Sequence, residues 1–163
     1  MSDPSAPQII ARITPSQPRR WIAMTALAGL GAVTIWIAVA ETPVHILATV
    51  FLLVFGAACF WLADRMRRAT QVGLVLTEAG LSDDSGRMIA PAAQMVAVSR
   101  GAFAFKPSNG FLLTLDRSGR LEWAPGLWWR IGRRIGVGGV ISNAEGRFMG
   151  EMIQTVIVGR DKG

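Results

Sequence analysis

The sequence predicts an α+β membrane protein: a two-helix transmembrane hairpin followed by a small antiparallel β domain, a bent sheet or partial barrel, capped by a C-terminal helix. Three observations support this fold class. Two apolar runs, residues 21–40 and 44–63, are separated by only three residues. Short apolar segments punctuated by turn residues begin at Gln71, and an amphipathic helical pattern follows Ser142.

Composition limits the chain to one small soluble domain. Of its 163 residues, 51% are hydrophobic and only 17% are charged, against about 25% charged in an average soluble domain. The apolar excess lies in the hairpin, and the rest is enough for one modest core. The predicted parts are a disordered cytoplasmic arm (1–20), the hairpin (21–63), a basic juxtamembrane linker (64–70) and a cytoplasmic β domain with its helix (71–163).

The N-terminal arm is rich in proline. It contains Pro4, Pro7, Pro15 and Pro18. Proline fixes its own φ and supplies no amide donor, which favours an extended, disordered segment. The arm ends in Arg19, Arg20 and Trp21, and basic residues followed by an indole at headgroup level indicate a cytoplasmic entry into a membrane.

Each apolar run has about the 20 residues that a helix needs to cross the hydrocarbon layer. Lipid offers no partner to backbone groups, so runs of this kind span as helices, and a three-residue link makes them antiparallel. The second run is followed by Asp64, Arg65, Arg67 and Arg68, whereas the link has no Lys or Arg. The positive-inside rule therefore predicts a multi-pass membrane protein with both termini cytoplasmic.

A secretory signal peptide is the competing interpretation of the first run. Arg19 and Arg20, an apolar stretch and then Ala38-Val39-Ala40 imitate a signal with a small-residue cleavage site. The stretch exceeds the usual length of about 7–15 residues, which favours a retained helix. Cleavage stays open, and Arg65, Arg67 and Arg68 would still orient the second helix.

Small residues four apart mark one side of the first helix: Thr25 with Gly29, and Ala28 with Ala32. Such pairs allow another helix to approach closely. Two interpretations follow, namely packing of the two hairpin helices against each other, or contact with a larger membrane complex. Cys59 is the only cysteine, so there is neither a disulfide framework nor a paired-cysteine metal site.

From Gln71 the pattern is typical of an antiparallel β domain. The predicted strands are 72–77, 87–90, 95–99, 102–105, 111–116, 121–123, 127–131 and 135–140, with turns at 82–86, 106–110 and 117–120. Ser142 and Glu145 have the spacing of a capping box. The following apolar residues, Phe148, Met149, Met152, Ile153, Val156 and Ile157, recur at helical spacing and predict one buried helix face.

A tryptophan and arginine cluster is the sharpest functional signal. It comprises Trp123, Trp128, Trp129, Arg130, Arg133 and Arg134. Indoles prefer the headgroup zone, and each nearby Arg gains about 1 kcal/mol from an anionic leaflet, so this edge could contact the membrane or a partner. The alternative is that alternate residues, such as Trp128 and Arg130, point into the barrel core and out to water respectively.

Other sites find little support. The glycines at 132, 136, 138 and 139 lack both the phosphate-loop ending and the dinucleotide-binding order. Asp83 and Asp84 are adjacent in a turn, which favours solvated turn residues over Ca²⁺ ligands. Nucleic-acid binding would use the same Arg and Trp types but lacks a recognised motif. We expect no cofactor, metal or catalytic residue, because the β domain contains neither His nor Cys.

The hairpin, the strand ending in Leu76-Thr77-Glu78-Ala79-Gly80-Leu81, the apolar Met95-Val96-Ala97-Val98 and the terminal amphipathic helix resemble small bacterial membrane proteins with a pleckstrin-homology-like domain. The resemblance covers about residues 21–158 and is one of architecture. It implies a bent seven-stranded sheet capped by a C-terminal helix and used for binding, and it transfers no ligand residues.

The expected function is therefore that of a non-enzymatic accessory or assembly subunit of a larger inner-membrane protein complex. Its contacts would be the hairpin and the PH-like domain. The alternative is an anionic-phospholipid-binding module that acts through the edge containing Trp128, Trp129, Arg130, Arg133 and Arg134.

Overall fold

Residues 8–40, 46–99 and 110–160 are described by the structure, a computed structural model. They form an α+β protein with two long apolar helices, two antiparallel sheets and a C-terminal helix. In chain order the elements are β1 (Ile9–Ile13), α1 (Gln17–Ala40), α2 (Ile46–Ala69), β2 (Leu74–Thr77), β3 (Gly80–Asp83), β4 (Met88–Pro91), a 3₁₀ turn (Ala92–Gln94), β5 (Met95–Ser99), β6 (Phe111–Ala124), β7 (Trp128–Val137) and α3 (Asn143–Arg160).

The strands form a four-stranded sheet in the order β1-β2-β3-β4 and a three-stranded sheet in the order β5-β6-β7. All neighbouring strands are antiparallel. Within each sheet the spatial order follows the chain order, as in a meander. The exception in connectivity is the first pair, because both long helices lie between β1 and β2 in the chain.

The first strand corrects the prediction of a disordered arm for the part of residues 1–20 that the structure describes, since residues 1–7 lie outside it. Residues 9–13 pair with β2, with Ile13 opposite Leu74 and Arg12 opposite Val75. Ile13 is fully buried and Ala11 is 4% exposed. Burial of these two side chains and the ladder of backbone hydrogen bonds outweigh the entropic cost of ordering the segment, despite its proline-rich surroundings.

The helices α1 and α2 each have 24 residues and are long and apolar enough to cross a membrane by length and composition. Only 22% and 11% of their most apolar windows are buried, unlike the core helix of a soluble protein. Helix α1 begins at Gln17 rather than Trp21, with Pro18 in the first turn, where proline is tolerated. Helix α2 continues to Ala69, so most of the predicted linker at 64–70 is helical.

One hydrophobic core joins both sheets to α3. Phe111 and Leu113 of β6 are fully buried, and so are Met149 and Ile153 of α3. The predicted cap by Ser142 is confirmed, since the Glu145 amide donates to Ser142 Oγ at 3.1 Å. The Glu145 carboxylate accepts from the Ser142 hydroxyl at 2.8 Å rather than from the backbone amide that the capping box predicts. The predicted buried face of α3 is correct except at Phe148, which is 49% exposed.

The β6–β7 pair is longer than predicted. The turn expected at residues 117–120 lies inside β6, and the segments 127–131 and 135–140 are replaced by the single strand β7. Gly119 lies opposite Gly132, and the register shifts on both sides of Gly119. Gly132 has a φ of +59°, which an L side chain adopts less readily. The glycines therefore mark irregular pairing within a strand rather than a chain reversal.

Two further predictions, the strand at 102–105 and most of the loop at 106–110, lie outside the described residues. Three predicted strands are confirmed with small boundary shifts. The segments 72–77, 87–90 and 95–99 correspond to β2, β4 and β5. The predicted turn at 82–86 begins too early, because β3 extends to Asp83.

The burial contrast within β1 gives a stability test. We expect Ile13→Ala to lower the free energy of unfolding by about 2–5 kcal/mol, because it leaves a cavity at a fully buried position. Ile9→Ala, at a side chain that is 57% exposed in the same strand, should cost less than about 1 kcal/mol. Denaturant unfolding of the full chain in detergent measures both. Equal effects would contradict the incorporation of β1 into the sheet.

Candidate functional site at the base of the helix hairpin

The two long helices pack through glycine. Gly31 and Gly56 face each other so closely that a Cβ added to Gly56 would lie 3.0 Å from the Gly31 carbonyl oxygen. The same Cβ would lie 2.6 Å from Ile35 Cγ1. Thr34 and Cys59 are also buried at this interface, and Thr34 donates to the Leu30 carbonyl of its own helix at 3.0 Å.

The small residues singled out in the sequence do not form this interface. Thr25, Gly29 and Ala32 are exposed, and a Cβ added to Gly29 would meet nothing within 4 Å. Ala28 is half-buried and lines a shallow cavity of about 320 Å³ with Phe60 of α2. Gly29 therefore lies away from α2, whereas Thr25 and Ala32 are exposed at the edge of the helix interface, where each lines a cavity with Phe60 of α2. The three form an exposed stripe rather than the close contact between the two helices.

The β domain contacts the base of the hairpin, where α1 begins and α2 ends. Met24 of α1, Met66 of α2 and Val140 after β7 form a small buried cluster. The Ser16 amide donates to the Val140 carbonyl at 2.8 Å, and the Arg19 guanidinium donates to the Ile141 carbonyl. Gly126, in the turn between β6 and β7, lies against Met66. The domain is thus held to both helices rather than hanging from a free linker.

The predicted basic residues flank this base. Arg67 and Arg68 pair with Asp64 at 2.9 and 2.7 Å, one helical turn away, as expected for charges three and four residues apart. Arg65 lies over the Trp61 ring, 5.6 Å from its centroid. On α1, Arg19 is exposed, Arg20 is half-buried and Trp21 is 59% exposed. These residues come together because one helix starts where the other ends.

The predicted tryptophan and arginine edge is only partly exposed. Trp128 is 6% exposed and belongs to the core, so it is not the exposed edge residue that was predicted, although it lines the groove described below. Trp129 is half-buried, and its ring covers Gly136 so closely that a Cβ there would lie 2.3 Å from the indole. Strand pairing places Trp123 opposite Trp129, and Trp123 is 47% exposed.

The three arginines of that edge have different environments. Arg130 is half-buried over Gly119, and its guanidinium donates to the Ile89 carbonyl at 3.4 Å. Arg133 is exposed and donates to the Leu115 carbonyl at 3.2 Å. Arg134 is exposed. Arg130 and Arg133 therefore serve partly to hold the β6–β7 ribbon.

Sequence reasoning missed the exposed apolar residues at the end of this ribbon and the arginine beside it. Leu121 is 75% exposed and Ile131 is 60% exposed. Arg87, just before β4, pairs with Glu122 and lies 5.7 Å from the centroid of the Trp128 ring. The alternation of Leu121 with Trp123 was an available signal for one exposed strand face. No sequence signal pointed to Arg87, because the residues that it contacts are distant in sequence.

A groove of about 490 Å³ lies between the end of α2 and the β6–β7 turn. Arg65, Arg68 and Arg87 line it together with the apolar side chains of Leu121, Trp123 and Trp128. Two carboxylates, those of Asp83 and Glu122, are also present. Hereafter this set of residues is called the basal groove. It combines cationic donors with an apolar wall, the chemistry that suits an amphiphilic anion.

The neighbouring carboxylates have structural partners. Asp83 accepts hydrogen bonds from the amides of Ser85 and Arg87, each at 3.0 Å. Asp84 accepts from the Gly73 amide at 2.9 Å and pairs with Arg12 at 2.9 Å. They close the turn before β4 and tie it to β1 and β2. Among residues 8–40, 46–99 and 110–160, no group of three His, Cys, Asp or Glu side chains could hold a metal ion.

No protein-family model, curated protein or solved structure matches this chain.

The difference in burial between Trp128 and Trp123 is testable. We expect Trp128→Ala to lower the free energy of unfolding by about 3–5 kcal/mol, because it empties a core position. Trp123→Ala should change it by less than about 1 kcal/mol. Denaturant unfolding of both variants in detergent makes the comparison. A larger loss for Trp123→Ala would show that the core has been assigned to the wrong indole.

Proposed function

We propose that this protein is a non-enzymatic accessory or assembly subunit of a larger protein complex in the bacterial inner membrane. In this proposal α1 and α2 span the bilayer, and the β domain is a PH-like binding module on the cytoplasmic side. The observation that carries the proposal is the exposed stripe of small residues on α1. Thr25, Gly29 and Ala32 are exposed there, although the hairpin has already completed its own interface through Gly31 and Gly56.

Small residues on a lipid-facing surface contribute little packing against acyl chains, whereas they let a second helix approach closely. Around this stripe the outer surface is bulky, with Ile22, Val33 and Trp36 each more than half exposed. A shallow track between bulky side chains complements a helix of a partner subunit. This arrangement favours a protein neighbour at the stripe over lipid alone.

The orientation is supported by two independent arguments. Arg19, Arg20, Arg65, Arg67 and Arg68 flank the same end of the hairpin, which the positive-inside rule assigns to the cytoplasm. The pairing of β1 with β2 brings the start of α1 and the end of α2 to the same sheet edge. Both chain segments outside the hairpin therefore share one side of the membrane in this proposal.

A binding role is favoured over catalysis by the side chains available. Residues 70–163 contain neither His nor Cys, which leaves few candidates for a nucleophile with its base. The seven strands in the described residues and the C-terminal helix support a PH-like module, although here the first strand precedes the hairpin. The basal groove favours a second candidate, an anionic-lipid-binding module, in which lipid binds in the groove rather than at the predicted edge of Trp129, Arg130, Arg133 and Arg134.

Glycine variants on the two faces of the hairpin separate partner contact from folding. Full-length protein purified in mild detergent after crosslinking should carry a stoichiometric integral-membrane partner. Gly29→Leu should reduce that partner at least about fivefold while leaving the unfolding temperature of the protein unchanged, because the new side chain projects into open space.

Gly56→Leu is the matched internal variant and should lower the unfolding temperature, since a side chain there meets Ile35, Thr34 and the Gly31 backbone. Val39→Leu, at an exposed position of α1, should retain both partner and stability. Wild-type protein that purifies without a stoichiometric partner would contradict the proposal, and so would full retention of the partner by Gly29→Leu.

A further inference from the structure

The end of α2 determines where the basal groove lies relative to a bilayer. The apolar part of α2, residues 46–63, is 18 residues long, and at 1.5 Å per residue it spans about 27 Å. This is close to the hydrocarbon thickness of about 30 Å. Arg65 and Arg68 follow within two turns, so they lie at the level of lipid phosphates if α2 is inserted.

The exposed tryptophans also indicate that the groove lies at the level of the lipid headgroups. Trp21 and Trp61 are each 59% exposed and lie at the base of the hairpin. Trp123 of β6 lines the groove beside Arg65 and Arg68. Indole rings at one level are typical of the membrane–water interface. The β6–β7 turn would therefore rest near the headgroups, with Leu121 and Trp123 beside the upper part of an acyl chain.

The groove has cationic donors that are not fully used within the protein. Among the described residues, Arg65 has no acidic partner, and its guanidinium is oriented by the Trp61 ring. The Arg68 side chain is 74% exposed and shares Asp64 with Arg67. The two carboxylates of the groove are already engaged, Glu122 by Arg87 and Asp83 by two backbone amides. Arg65 and Arg68 can thus donate to a phosphate without breaking the Arg87–Glu122 pair or the hydrogen bonds of Asp83.

We propose that the basal groove binds the phosphate headgroup of one anionic phospholipid, with Arg65 and Arg68 as the phosphate donors. Arg87 contributes positive charge from the opposite wall, and Leu121 and Trp123 contact the glycerol and the first acyl carbons. This inference rests on the proposed membrane insertion of α2. It assigns lipid recognition to the junction between helix and sheet, away from Arg133 and Arg134.

Native mass spectrometry of the delipidated full-length protein in detergent tests the site. With phosphatidylglycerol as the probe, the wild type should retain one lipid more tightly than it retains phosphatidylcholine. Arg65→Gln and Arg68→Gln should each weaken phosphatidylglycerol binding about fivefold, the loss expected for one arginine at a phosphate. Arg117→Gln, an exposed arginine of β6 outside the groove, is the matched control and should bind as the wild type does.

Three outcomes would overturn this inference. Equal retention of the two lipids would remove the selectivity for an anion. A loss for Arg134→Gln as large as that for Arg65→Gln would return lipid contact to the β7 edge. Displacement of the lipid by excess inorganic phosphate would identify a soluble-phosphate site, because a bilayer lipid also gains from the apolar wall.

The crosslinked partner is measured on the same samples, which separates this inference from the proposed function. Loss of phosphatidylglycerol with the partner retained by Arg65→Gln supports a lipid site. Loss of the partner with phosphatidylglycerol retained would show that the groove binds an acidic segment of the partner, which overturns the lipid inference but leaves the accessory role standing.

Discussion

Residues 9–13 pair with residues 74–77 across an insertion of two 24-residue helices, and this pairing determines where the rest of the chain lies. The chain leaves the sheet at Ile13 and returns opposite it at Leu74. Closing so long a connection costs little more entropy than closing a shorter one. The antiparallel packing of the helices also brings the start of α1 and the end of α2 together. The hairpin is therefore an extension of one strand connection.

The backbone packs closely where β1 meets the start of β2. A Cβ added to Gly73 would lie 2.6 Å from the Ile13 carbonyl oxygen and 2.7 Å from Asp84 Oδ2. Asp84 also pairs with Arg12 of β1. Cleavage after Ala38-Val39-Ala40 would separate a fully buried strand residue, Ile13, from its sheet. The proposed two-helix insertion therefore requires retention of α1, which the sequence alone left open.

The basal groove exists because the β domain also contacts the base of the hairpin. Met66 and Val140 pack under the β6–β7 turn, and this packing brings the ribbon against the end of α2. Arg65 and Arg68 point from the helix toward a space that Leu121 and Trp123 border from the sheet. A flexible linker at 64–70 would have left these groups without a shared surface.

The elements that local sequence determines were predictable. The apolar runs, the capping box at Ser142 and Glu145, and the strand at residues 95–99 each depend on neighbours within a few positions. Strand β1 was not predictable, because its short apolar pattern depends on pairing with a distant strand. Ile13 pairs with Leu74, which is 61 positions away in the sequence.

The same distinction applies to the candidate site. The basic residues at the helix ends were predictable from charge next to apolar runs. Arg87 was not, since its contact with Glu122 joins residues 35 positions apart. Alternation indicated which residues of the ribbon share a face, as Leu121 and Trp123 do, but which face meets the core depends on elements distant in sequence. Trp128 therefore turned out to be buried, and Trp123 and Leu121 exposed.

Single-cysteine labelling tests most directly whether the hairpin spans the bilayer with the β domain on one side. In a Cys59→Ala background, Thr42→Cys in the link, Ile9→Cys in β1 and Phe148→Cys in α3 are treated with a membrane-impermeant maleimide. Thr42→Cys should react in intact spheroplasts, and Ile9→Cys and Phe148→Cys should react only after permeabilisation, in a chain that retains residues 1–40. Reaction of Ile9→Cys or Phe148→Cys in intact spheroplasts would contradict the account.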